Sequence, residues 1–213
     1  MKKRFFYYLL ILAVLGGCAS LKAKREITDN VFNSTRPKCS VKVESEFEYL
    51  GAISYHKEGK DWLGHSTIGY DYNPHMFLSS DKALIIDIRK TQYHFVSDLL
   101  GIVENKLEFG TCKLGDKTYQ HYTKLIMTGR SGPVERFFLE NGHVVPNCAL
   151  STNFKRVVGT KKNTMINIRY YEELPDFSPD CSAWKNPDNL SEKQIEYLKE
   201  FKKRCDAAFE VLK

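Results

Sequence analysis

Residues 106–127 read KLEFGTCKLGDKTYQHYTKLIM, with Lys106–Leu114 and Lys117–Met127 flanking Gly115-Asp116. A Gly-Asp pair between two runs of β-forming residues is a hairpin signal, so this stretch predicts two antiparallel strands. Working outward, Asn153–Val158 and Thr164–Glu172 flank Gly159–Asn163 and predict a second hairpin. Between them, Val134–Leu139 and His143–Leu150 flank Asn141-Gly142, which can supply the positive φ of a type I′ turn and so predicts a third. Pro146 cannot donate to a ladder and places its strand at an edge or bulge. Upstream, Val41–Tyr49 alternates apolar odd positions with charged even ones, the period of a half-buried strand. Glu44, Glu46 and Glu48 form its wet, charged side. Ala83–Arg89 (ALIIDIR) predicts a more buried strand. Tyr93–Glu104 is ambiguous: Phe95, Leu99, Ile102 and Val103 suit a helix stripe that Gly101 weakens.

The C-terminus changes character. Pro175, Pro179 and Pro187 punctuate a loop, and Leu190-Ser191-Glu192-Lys193-Gln194-Ile195 then carries a helix start. Ser191 caps, Gln194 completes the capping box, and Leu190 can staple onto Ile195. Ile195, Leu198, Phe201, Cys205, Phe209 and Leu212 make one apolar stripe, so the expected helix is 191–212, with Glu200–Arg204 as a flanking ion pair. Consecutive hairpins followed by one helix give an α+β class, mainly antiparallel β: a curved sheet, or an open barrel or sandwich of hairpins, with one C-terminal amphipathic helix.

The first 20 residues read as an address. Met1-Lys2-Lys3-Arg4 is a positive start, and Phe5–Leu15 is an uncharged apolar run, too short for a comfortable membrane span and suited to a signal-peptide core. Leu15-Gly16-Gly17-Cys18 follows. This resembles the lipobox of bacterial lipoproteins, with Gly16 where Ala or Ser is more usual. The resemblance covers only the N-terminal segment. It implies cleavage before Cys18, covalent lipid on Cys18 and an exported chain anchored to the membrane; two or three acyl chains suffice for stable anchoring. Ala19 after the cysteine implies, by the enteric sorting rule, the periplasmic face of the outer membrane. The expected organisation is then a signal peptide at 1–17, the lipidated cysteine and a polar tether at 18–38, and a single β-rich domain at 39–213.

The whole chain carries 32 Lys and Arg against 26 Asp and Glu, a formal +6. Cleavage would remove Lys2, Lys3 and Arg4, leaving 29 cations against 26 acids, or +3. That is no electrostatic footprint for a nucleic acid, and an exported chain leaves the compartment that holds DNA. Lipid on Cys18 leaves Cys39, Cys112, Cys148, Cys181 and Cys205, which an oxidising compartment would pair. The sequence cannot choose among the pairings. The reading taken is Cys112–Cys148 within the sheet region and Cys181–Cys205 between the helix and the loop before it, leaving Cys39 over.

No motif compels an enzyme: GxSxG, HExxH, Walker A and GxGxxG are all absent. Accordingly no catalytic residue, metal ligand or cofactor other than the lipid is assigned. The gaps between His56, His65 and His75 do not match a helix face, so no metal site is read there. Tyr55–Phe77 reads as a long loop between strands, and its Trp62, His65, Tyr70, Tyr72 and His75 make a candidate ligand-binding surface for a saccharide or peptide. The same rings could simply pack the loop onto the core. The resulting expectation is a lipid-anchored envelope protein with a binding or assembly role and an envelope protein or peptidoglycan as partner. The alternatives are an envelope glycan- or peptide-acting enzyme using Asp61, His65 and Asp71, and a lipid-anchored inhibitor or immunity protein.

Overall fold

A computed structural model describes residues 23–60, 66–91, 106–127 and 132–212. Its strands are β1 (Arg25–Thr28), β2 (Val31–Thr35), β3 (Lys38–Val43), β4 (Glu48–Ala52), β5 (Tyr55–Lys60), β6 (Ser66–Tyr72), β7 (Pro74–Leu78), β8 (Lys82–Thr91), β9 (Lys106–Leu114), β10 (Lys117–Met127), β11 (Cys148–Val158), β12 (Thr164–Glu173) and β13 (Phe209–Leu212). Two α-helices, α1 (Pro133–Glu140) and α2 (Glu192–Ala207), and short 3-10 turns at Cys181–Trp184 and Pro187–Asn189 complete the described elements. The small sheet has the order β1-β2-β3-β13. The large one runs β4-β7-β8-β12-β11-β10-β9, with the β5–β6 hairpin joined to it through β6 and β8. Every pairing is antiparallel and neither sheet closes. The α+β, mainly antiparallel architecture with a C-terminal helix is the one the sequence implies.

The main core lies between the two sheets and α2. Phe32, Val41 and Val43 from the small sheet meet Leu84, Ile86, Ile88, Leu150, Phe154, Ile166, Ile168 and Tyr170 from the large one. On β8 and β12 these are the even positions, so the odd positions of the same strands point to the opposite face. The helix adds Phe201 and Cys205 to the core. Its capping box forms as expected: Gln194 N–H donates to Ser191 Oγ at 3.3 Å, and Ser191 N–H donates to Gln194 Oε1 at 2.9 Å. The 106–127 hairpin also forms, pairing Leu114 with Lys117 across Gly115-Asp116. Gly115 has φ +59, and a Cβ there would lie 2.7 Å from the Val211 carbonyl oxygen, so both conformation and space call for glycine.

Several expectations are corrected. Residues 25–38, read as tether, build β1, β2 and the start of β3, with Phe32 wholly buried. The Asp29-Asn30 turn between β1 and β2 has positive φ at both residues, as a type I′ hairpin requires. The alternating run 41–49 is not one strand. β3 belongs to the small sheet and β4 to the large one, and the chain crosses between them through buried Phe47, whose carbonyl accepts from Asn30 Nδ2 at 3.0 Å.

Asn141-Gly142 makes no hairpin. Pro133 occupies the first turn of α1, and Gly142, at φ +80, ends the helix. His143 N–H donates to the Phe138 carbonyl and Gly142 N–H to the Leu139 carbonyl, each at 3.0 Å, which is a Schellman cap. The same positive φ serves a hairpin or a helix end.

The C-terminal helix stops at Ala207, and Phe209–Leu212 turns back as β13 to pair with β3. Ile195 remains 44% exposed, outside the core. Arg204 bonds Glu172 on β12, not Glu200, and Glu200 pairs with Lys203. Tyr93–Glu104 lies outside the described residues.

Both proposed disulfides are wrong: Cys148 bonds Cys181, with Cα atoms 6.0 Å apart. Cys39, Cys112 and Cys205 are free. Cys112 faces Tyr119 at one end of β10 and Cys148 faces Met127 at the other, eight residues along the strand. That is roughly 26 Å, far beyond disulfide reach. Cys205 lies against Thr152, not against the Cys181 turn.

Candidate functional site

The odd positions of β8, β11 and β12 and the even positions of β10 form a mostly polar floor. Register sets Tyr122, Asn153, Arg169 and Ile85 in one row across β10, β11, β12 and β8. Lys124, Ser151, Tyr171 and Ala83 form the next row, and Gln120, Lys155, Asn167 and Asp87 lie on the other side of the first. Helix α1 covers part of this face, with Phe138 packed on Met76 and Ile85. Between α1, the Val144–Pro146 segment and the floor lies an open cleft of about 440 Å³, a size typical of small-molecule sites.

The floor is rich in cations. Asp87, wholly buried, accepts from Arg89 Nε at 2.6 Å and from the Asn73 N–H at 3.1 Å, and lies 3.7 Å from Arg169 Nη2. Arg169 donates from Nη1 to the Tyr171 hydroxyl at 3.0 Å, while its Nε and Nη2 have no hydrogen-bond partner. Both polar atoms of the Asn167 side chain, fully buried beside Asp87, are likewise unpaired. Such groups are rare in native interiors. Lys155 stands over the Tyr122 ring, 4.7 Å from its centroid. Burial, together with Arg89, Lys124 and Arg169, pushes its ammonium down to about 7. Lys124 is also lowered, by burial and then by Arg169. Tyr55 and Tyr72 stack with centroids 4.8 Å apart, and Arg89 lies over the Tyr72 ring at 4.7 Å.

The residues singled out from the sequence do not assemble as expected. The described residues of Tyr55–Phe77 form not a loop but β5, β6 and most of β7. Trp62 and His65 lie outside the described residues, as does Asp61. Tyr70 and Tyr72 sit on β6, and Tyr72 meets the cleft only through Arg89. Asp71 pairs with His56 at 2.7 Å across the β5–β6 hairpin, both side chains largely exposed, beside a shallower hollow of about 410 Å³.

His75 lies on the core face, edge-on to Phe32 at 4.8 Å. Its Nδ1 and Nε2 meet the Tyr49 hydroxyl and Asn73 Oδ1, each at 3.2 Å. Burial, then Arg25, pushes its imidazole down to about 4. A buried neutral histidine resists acid less well than the unfolded chain, which protonates near 6.5. Its contribution is therefore complete above pH 6.5 and is lost as pH falls towards 4. Compared by urea denaturation, the stability gap between the wild type and His75→Gln is expected to shift by about 3 kcal/mol against the wild type from pH 7 to pH 4. A gap unchanged by pH would show that His75 is not held neutral.

The cationic floor is not evident from ALIIDIR and TMINIRYYE, whose composition marks them only as strands. The available signal was the run of polar odd positions, Asp87, Arg89, Asn167 and Arg169, inside otherwise apolar central strands. Among the described residues no group of three or more His, Cys, Asp or Glu could hold a metal ion. No family model, curated protein or solved structure matches this chain.

Proposed function

We propose that this chain is a lipid-anchored bacterial envelope protein with a binding or assembly role, held at the periplasmic face of the outer membrane. The observation that carries the anchor is the sequence from Met1 to Cys18: a basic start, a short apolar core, then Leu15-Gly16-Gly17-Cys18. The Cys148–Cys181 bridge supports export, because disulfides persist in oxidising compartments. The cleft beside α1 supports a binding role and gives the folded part a concave surface for a partner or ligand.

The anchor is tested by growth with labelled palmitate. The wild type is expected to carry label and to fractionate with membranes, and Cys18→Ser to lose both. Label that persists in Cys18→Ser, or that never enters the wild type, overturns the anchor.

A further inference from the structure

The cleft has a chemical order along the strands. Arg89, Arg169 and Lys124 line it, and along the strands Arg89 comes first, then the row of Asp87 and Lys155, then the row of Arg169, then the row of Lys124. Val134, Phe138, Val145 and Pro146 form an apolar wall beside Ile85, which shares the Arg169 row, and Ala149, which pairs with Glu173. At the far mouth stand Asp81 and Glu173, both exposed and joined through the Glu173 N–H and the Asp81 carbonyl. Asp81 and Arg89 are eight residues apart along β8, roughly 26 Å. Glu135, also on the wall, turns back to Gly132 at the start of its own helix.

Each part constrains the occupant. Lys82 pairs with Glu46, Arg89 with Asp87 and Glu172 with Arg204, which leaves Arg169 and Lys124 as the lining cations to meet an anion, with Lys155 close enough to feel both. Arg169 is anchored at Nη1, and its Nε–Nη2 edge, the side of a guanidinium that matches two oxygens of a carboxylate or phosphate, has no hydrogen-bond partner, with Asp87 3.7 Å from Nη2. The apolar wall needs a hydrocarbon surface against it. The floor strands β8, β12, β11 and β10 each pair on both sides, so the cleft offers no free strand edge to an extended peptide. The acids at the far mouth repel an anion and fix its direction.

We propose that this cleft binds an anionic amphiphile, its hydrocarbon against the α1 wall and its carboxylate or phosphate head at Arg169 and Lys124. This rests on the binding role proposed above and names its ligand class. The low affinity of Lys155 for its proton fits, because an anion beside it would restore the charge.

The test uses the full chain in phosphatidylcholine nanodiscs, titrated calorimetrically with octanoate, octyl phosphate, octylamine and octanol, with empty nanodiscs subtracted. One or both anions are expected to bind once per chain, and octylamine at least about tenfold more weakly, since a charge-assisted hydrogen bond is worth more than 1.4 kcal/mol. Preference for octanoate points to a fatty acid, and preference for octyl phosphate to a lipid phosphate. Lys124→Gln, at an edge of the floor, is expected to weaken the preferred anion about tenfold and leave octanol unchanged, with an unaltered melting temperature. Arg169→Lys, which keeps the charge and loses the fork, is expected to weaken it too. Octylamine or octanol binding as tightly as the anions, or no saturable binding of either anion, overturns the proposal. A chain that fails to take palmitate yet binds octanoate loses the anchor and keeps this site. A labelled chain that binds neither anion keeps the anchor and loses it.

Discussion

Arg204→Met is expected to lower stability by about 3–5 kcal/mol, read as a drop in the urea midpoint at pH 7, because it strands a buried carboxylate. Glu172 is 4% exposed at its side chain and stands where α2 crosses β12. Arg204 donates to it from Nη2 at 2.6 Å and from Nε at 3.0 Å, and the hydroxyls of Tyr170 and Tyr197 donate at 2.8 and 2.5 Å. Removing the guanidinium leaves an uncompensated charge with two neutral donors. Glu172→Gln is expected to cost less, about 2 kcal/mol, because Arg204 is 34% exposed and can turn to water, where an unpaired cation is cheap. The pair Glu172→Leu with Arg204→Met removes both charges and is expected to recover most of the loss, as buried ion pairs replaced by apolar groups commonly do. Equal costs for the two single variants would show that the carboxylate is not shielded as the geometry implies.

That ion pair also shows what local sequence could reveal. Helix spacing places Glu200 beside Arg204, and only the tertiary fold brings Glu172 from β12 to the same guanidinium. The capping box at Ser191–Gln194 was legible because it is a local arrangement, complete within four residues. The hairpins at Gly115-Asp116 and Gly159–Asn163 were legible for the same reason. Gly142 was misread because positive φ is a need shared by hairpins and helix ends, and the deciding residue, Pro133, lies nine positions upstream. The β5–β6 hairpin reads as loop in the sequence because His56, Lys57 and Glu58 on β5 are all exposed, which erases the alternation of a half-buried strand. The cleft was illegible for a further reason. Its floor takes at least three residues from each of four strands, and only register brings Lys124, Asn153, Arg169 and Arg89 to one face.

Loss of the Cys148–Cys181 bridge is the other large expected effect. Cys148 opens β11 and Cys181 opens a 3-10 turn 33 residues later, within the polar, proline-punctuated stretch that leads to α2. Closing a loop of that length in the unfolded chain corresponds to about 3–4 kcal/mol. The double variant Cys148→Ser/Cys181→Ser is therefore expected to unfold at lower urea by that amount, as is the reduced wild type. The loss need not detach the segment. Trp184 is fully buried, its indole N–H donating to the Ser178 carbonyl at 2.9 Å, and Gln194 Nε2 reaches the Ala183 carbonyl at 3.1 Å and Ser178 Oγ at 3.2 Å. These contacts tie the turn to the start of α2 independently of sulfur, so the variant should keep its far-ultraviolet circular dichroism in the absence of denaturant. The pairing itself is checked by counting thiols. In the Cys18→Ser chain, unfolded without reductant, Cys39, Cys112 and Cys205 are expected to titrate, three of the five remaining cysteines. A count of one would require a second bridge. Since Cys39 and Cys205 are both buried and burial pushes both thiols up, to about 11 for Cys39 and higher for Cys205, the folded chain should react slowly before denaturant is added. Rapid labelling of all three in the folded state would place them at the surface, contrary to the packing of β3 and α2 against the common core.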